Sequence, residues 1–166
     1  MKLQLKNVHF SERLSQETNA FAADIFYNGK KIGYAENNGH GGCTNVGCYP
    51  ESRDEFKEAA QYAKDLPKIV YEGSRGMKGF ELDSNLEAQV DHLFENWLEQ
   101  KEITKTSNKG LYYEQPDGQR YVATWKGHTI AKMKKNPNGI EAIKIRAKKL
   151  QLEGNIILNN NLEGIL

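Results

Sequence analysis

Along the chain the spacing of apolar positions changes several times, and each change marks an element. Leu3, Leu5, Val8 and Phe10 form an alternating edge that predicts a strand over residues 2–10, with a polar connection following through Asn19. Phe21–Tyr27 and Lys31–Glu36 are rich in β-branched and aromatic residues and flank Asn28-Gly29. Both turn residues tolerate positive φ, which predicts a hairpin closed by a type I′ turn. Residues 37–50, NNGHGGCTNVGCYP, interrupt the alternation and read as a long glycine- and asparagine-rich loop.

Helical spacing follows. Phe56, Ala59, Ala60 and Ala63 share one face of a helix over about 53–65, opened by Ser52 or Asp54 and stopped by Pro67. Ile69-Val70-Tyr71 reads as a short extended segment, EGSRGMKG as a loop, and Phe80 with Leu82 as its far side. Leu86, Val90, Leu93, Phe94, Trp97 and Leu98 recur at three- and four-residue spacing and predict a second helix over about 84–101. Thr104–Gly110 is polar and reads as a boundary.

Beyond it, Leu111–Glu114 and Arg120–Trp125 read as aromatic strands around the turn Gln115-Pro116-Asp117-Gly118. His128–Lys135 fits a strand or a helix, and Asn136-Pro137-Asn138-Gly139 breaks the chain. Ile140–Leu152 then reads as a helix with Ile140, Ile143, Ala147 and Leu150 inward and Lys144, Lys148 and Lys149 outward. Ile156-Ile157-Leu158 is a short strand or a frayed end.

These elements predict an α+β fold: a small antiparallel sheet packed against two or three helices, with a basic β-hairpin plus helix module on the C-terminal side. Residues 1–103 form the expected acidic body with the glycine-rich loop, and 111–166 the basic module, either apart or packed into one domain. At 166 residues, with two Trp, eight Tyr and six Phe, the chain can bury a real core, which argues against disorder. No apolar run approaches the ~20 residues needed to cross a bilayer. Met1–Lys6 alternates instead of forming the apolar stretch of a signal peptide. The expectation is therefore a cytoplasmic protein with no membrane partner.

Charge changes the picture more than composition does. The whole chain has a formal net charge of +1, yet residues 101–150 hold twelve Lys/Arg against four Asp/Glu. Residues 1–100 hold eleven against sixteen. Lys132, Lys134 and Lys135 form one basic cluster; Lys144, Arg146, Lys148 and Lys149 form another. Trp125, with Tyr121 on the same alternating face, offers either a base-stacking surface or part of the core. Such a face suits an anionic partner: an acidic protein, or the phosphates of nucleic acid. Lysine neutralises phosphate without the bidentate geometry with which arginine reads bases. The opposite signs of the two halves also allow attraction within the chain or across a dimer.

The glycine-rich loop raises several readings. His40 and Cys43 have the residue types of a nucleophilic pair, as in a small Cys–His hydrolase, but lack a surrounding protease signature. His40, Cys43 and Cys48 are spaced H-x2-C-x4-C, an incomplete zinc set with no fourth ligand nearby. The structural reading has the glycines permitting a tight path with Cys43 tucked inward as a small hydrophobe; a separate reading has the loop contact a ligand or partner through Asn38, His40 and Thr44. The loop matches neither phosphate-binding glycine motif. Asp54, Glu55 and Glu58 suit a helix N-terminus, and Asp91, Glu95 and Glu99 are assigned to a solvated helix face. No cofactor is expected.

The segment Asn19–Thr44 carries the Asn28-Gly29-Lys30 turn, Gly33, the run Glu36-Asn37-Asn38 and Gly39-His40-Gly41-Gly42-Cys43-Thr44. In these residues it resembles a group of uncharacterised small proteins of bacteriophages and other mobile elements. The resemblance covers about a sixth of the chain and transfers no catalytic or binding role. It implies a setting in which small accessory proteins bind a host or defence component. The resulting expectation is a non-enzymatic binding protein whose basic C-terminal face engages an anionic macromolecule, with nonspecific DNA or RNA binding as the alternative.

Overall fold

A computed structural model describes residues 2–71 and 78–166, so residues 72–77 of the expected EGSRGMKG loop lie outside the described residues. The fold is α+β, and the chain packs as two compact units, Met1–Asn96 and Trp97–Leu166.

The first unit is built on a four-stranded antiparallel sheet in sequence order: β1 (Leu3–Ser11), β2 (Ala20–Tyr27), β3 (Lys30–Asn37) and β4 (Asn45–Cys48). Asn28 and Gly29 adopt φ of 48° and 85°, the pair of positive values that the β2–β3 turn requires. From Phe21 onward β2 alternates, with Phe21, Ala23, Ile25 and Tyr27 buried. Helix α1 (Arg53–Lys64) packs on β2 and β3 through Ala59 and Ala63, both fully buried. A short hairpin, β5 (Ile69–Tyr71) with β6 (Phe80–Leu82), precedes α2 (Leu86–Ser107), whose first half buries Leu86, Val90 and Phe94. Phe94 stacks on Phe21 with ring centroids 3.9 Å apart.

One expectation is overturned here. The second half of the presumed 37–50 loop is β4, paired antiparallel with β3 from Gly33↔Cys48 to Glu36↔Asn45. Its glycines permit close approach. A Cβ on Gly33 would lie 2.1 Å from the Gly47 carbonyl oxygen, and one on Gly47 would lie 2.3 Å from the Tyr34 ring. Glycine is required because a strand and an aromatic ring press against it.

In the second unit, β7 (Leu111–Glu114) lies between β8 (Arg120–Ala123) and β9 (Ile156–Ile157). Two helices follow the hairpin: α3 (Ile130–Met133) and α4 (Pro137–Leu152). Leu111, Ala123, Ile130, Met133, Ile143, Ala147, Leu150 and Leu162 form one buried cluster. The polar boundary expected at 104–110 is helix over its first half, because α2 runs to Ser107, which is buried.

The tail resolves to the short strand β9, followed by three asparagines that bind backbone and side chains near the C-terminus of α2. Asn159 accepts from Tyr112 N at 2.7 Å and donates to the carbonyls of Ser107 and Gly110 at 3.2 and 3.0 Å. Asn160 donates to Thr104 Oγ1, and Asn161 to the Ser107 carbonyl. Helix C-termini leave carbonyls without intrahelical partners, and the tail supplies donors to them. No helix among the described residues is long and apolar enough to cross a membrane.

Candidate functional site

Local capping positions the basic face. The side chain of Thr129 accepts from Lys132 N, opening α3. Asn136 accepts from Gly139 N at 2.7 Å, and Pro137 occupies the first turn of α4, where its missing N–H costs nothing. Burial of Ile143, Ala147 and Leu150 on one side of α4 turns Lys144, Lys148 and Lys149 to solvent. Lys132, Lys134 and Lys135 are also exposed. Lys134 Nζ donates to the Asn161 carbonyl at 2.6 Å, so part of its donor capacity is held within the unit.

Trp125 is half-buried against the core cluster, and the Arg146 guanidinium lies 5.6 Å from its ring centroid. Its ring is therefore partly core and partly covered by a cation. Tyr121 is exposed, stacks on Tyr113 at 6.0 Å and donates its hydroxyl to Gln119. Arg120, by contrast, is neutralised: Nε donates to Glu114 and Nη2 to Glu99, each at 2.8 Å. Among the described residues no ion pair engages any Lys or Arg between 126 and 149.

The glycine-rich loop is tied down from within. The Gly39 carbonyl accepts from the backbone N–H of Gln16 and Glu17 at 2.9 and 3.1 Å. Asn37 Oδ1 accepts from the Thr18 hydroxyl and from Gly39 N at 2.8 and 2.9 Å. Asn38 and His40 are exposed, whereas Thr44 is buried and donates its hydroxyl to Asp91 Oδ1 at 2.5 Å. Thr44 is thus a structural tie, not the surface contact expected of it.

Cys43 does not tuck inward either. Gly41 and Gly42, at φ of 91° and 95°, turn the chain so that Thr44 enters the interior and Cys43 is exposed. Cys48 is exposed on β4 opposite Gly33. No hydrogen bond joins His40 to Cys43 among the described residues, and no three His, Cys, Asp or Glu side chains there converge as a metal set. Among the described residues His40, Cys43 and Cys48 are not gathered into one cluster, and Cys48 stands on β4 opposite Gly33.

The carboxylates assigned to a solvated face are placed differently. Asp91 and Glu95, one turn apart on α2, line a cavity of about 240 Å³ with Thr18, Asn37, Thr44, Tyr71 and the stacked Phe21 and Phe94 rings. Burial raises the Asp91 pKa above the usual carboxylate range, against the Thr44 hydrogen bond and with the help of Glu87. Burial also raises Glu95, as does the Asp91 charge, while His92 and a hydrogen bond from Tyr71 oppose it. The Tyr71 phenol is raised by burial first and then by the charges of Glu95 and Asp91. A sequence signal did exist: each acid directly follows a buried residue, Val90 or Phe94, which puts both at the margin of the apolar stripe.

The chain Thr18–Asn37–Thr44–Asp91 links the loop to α2 by side-chain hydrogen bonds. Its acidic end has a testable consequence. Raised folded-state carboxyl pKa values mean that the native state holds protons more tightly than the unfolded chain. That stability is fully present below the unfolded pKa near ~4 and is lost as pH rises through the folded values. Asp91→Asn keeps an oxygen to accept from Thr44 and removes the ionisation. It is expected to raise Tm at pH 7 by a few degrees, leave Tm almost unchanged at pH 4, and flatten the profile between. Thermal melts across that range check it, and a lower Tm at pH 7 would contradict it.

Comparison with protein-family models, with curated proteins and with solved structures finds no match to this chain.

Proposed function

We propose that this chain is a non-enzymatic binding protein that engages an anionic macromolecular partner through the exposed basic face of α3 and α4. The observation that carries this reading is the set of exposed lysines, Lys132, Lys135, Lys144, Lys148 and Lys149, with no ion pair among the described residues to neutralise them. Contrast with Arg120 sharpens it. Two carboxylates hold Arg120, whereas the lysines of α3 and α4 have no such counter-ions among the described residues. Uncompensated charge of one sign on a firm helical scaffold raises the encounter rate with an oppositely charged surface. In the mobile-element setting that residues 19–44 suggest, the partner is a host or defence protein with an acidic surface.

The test is titration of fluorescent polyglutamate, duplex DNA and RNA at two ionic strengths. Lys144→Gln/Lys148→Gln/Lys149→Gln is expected to weaken binding at low salt by at least ~10-fold, with the parent losing affinity steeply as salt rises. All three side chains are exposed, so folding is unaffected. Failure of the parent to bind any of the three polyanions at low salt would end this reading.

A further inference from the structure

Two large aliphatic side chains share α4 with the lysines. Ile145 is 62% exposed and Leu152 80% exposed. At ~100° and ~1.5 Å per residue, positions seven apart lie almost on one line along a helix, about 10 Å from each other. The same geometry puts Lys148 and Lys149 on opposite sides of that line, with Lys144 one turn before Lys148 and Glu141 one turn before Ile145. The line runs opposite the buried row of Ile143, Ala147 and Leu150, so neither aliphatic serves the core cluster. Helix formation does not call for the isoleucine, which at an open position is a poorer helix former than Lys, Gln or Glu. Both leave apolar area in water that a docked partner would cover.

Resting on the proposed function, we infer that this face of α4 docks an acidic amphipathic helix of a partner protein. Aliphatic side chains of that helix cover Ile145 and Leu152, and its flanking carboxylates meet Lys144, Lys148 and Lys149. Complementarity of charge and polarity selects this occupant. A phosphate backbone satisfies the lysines but leaves the aliphatics wet, and so does a purely acidic protein surface. A helix with apolar residues at i, i+3, i+4 and i+7 presents a stripe long enough to span both positions, with carboxylates at its margins. Arg146 is held over Trp125 and Lys134 bonds to a carbonyl, so the lysines flanking the apolar line are freer than either.

Fluorescence anisotropy tests this with a labelled peptide of about 18 residues, leucines at amphipathic spacing and glutamates elsewhere. A scrambled isomer of the same composition and a ~20-bp duplex serve as comparison probes at ~150 mM salt. The patterned peptide is expected to bind at least ~10-fold tighter than its isomer. Ile145→Ser/Leu152→Ser should remove that advantage while leaving isomer and duplex affinities unchanged. Ile145→Gln/Leu152→Gln, in which glutamine favours the helix more than serine does, should do the same and so separate docking from any folding defect. Equal affinity for the two peptides, insensitivity of the patterned peptide to both double variants, or tighter binding of the duplex than of the patterned peptide would overturn the inference and leave the broader anionic-partner reading standing. If no anionic probe binds at low salt, both fall.

Discussion

Asn159→Ala is expected to destabilise the second unit by about 3 kcal/mol, a large effect for a half-buried polar residue near the end of a chain. The side chain makes three backbone hydrogen bonds at once, to Tyr112 N, the Ser107 carbonyl and the Gly110 carbonyl. Alanine removes all three and leaves an N–H of the central strand β7 without its acceptor. A net hydrogen bond contributes roughly 1 kcal/mol, and a buried group left unpaired costs about 1–3 kcal/mol. Asn159→Asp separates the contributions: it keeps an acceptor for Tyr112 N but faces two carbonyl oxygens with a carboxylate, so it should be no better than alanine. Urea unfolding followed by tryptophan fluorescence reads this out, since Trp97 and Trp125 both belong to the unit. A loss under ~1 kcal/mol for Asn159→Ala would mean that the tail merely rests on the end of α2.

Gly139→Ala is the second large effect, and its sign opposes helix propensity. Alanine at an open helical position gains about 1 kcal/mol over glycine. Here the added Cβ would lie 2.3 Å from the Met133 carbonyl oxygen and 2.8 Å from Met133 Cα. Both are backbone atoms, so no rotamer change relieves the contact, and α3 must move away from α4. We expect a loss of about 2 kcal/mol or more. Because that contact sets how Lys132 and Lys135 stand relative to Lys144 and Lys148, polyanion affinity should fall although no charge is altered. Denaturation and the titration used for the lysine variant give both numbers. A stabilised protein with unchanged affinity would show that the α3–α4 approach has room to spare.

The parts that were legible in the sequence are those governed by neighbours within a few residues. Asn28-Gly29 announces its turn because backbone sterics decide it, and both residues adopt positive φ. The inward row Ile143, Ala147 and Leu150 announces the lysine face because a 3.6-residue period separates the two sides of α4 wherever the core lies. The loop between them in difficulty was 37–50. Its glycine content describes turns and close strand approach equally well, and only the position of β3 makes Asn45–Cys48 a strand. Asp91 and Glu95 were misplaced for a related reason. A helix period says which residues are polar, but not whether a buried threonine and a tyrosine from other segments will meet them.

The sequence alone therefore determined the α+β class, the Asn28-Gly29 turn, and the concentration of positive charge beyond residue 100. These follow from short-range sterics, periodicity and composition. Tertiary structure alone decided which charges are compensated. Arg120 is held by Glu99 and Glu114, and Asp91 is drawn into a cavity, while the lysines of α4 face solvent with Ile145 and Leu152 among them. Compensation depends on distances between residues far apart in the chain, and those distances come into being only when the segments pack.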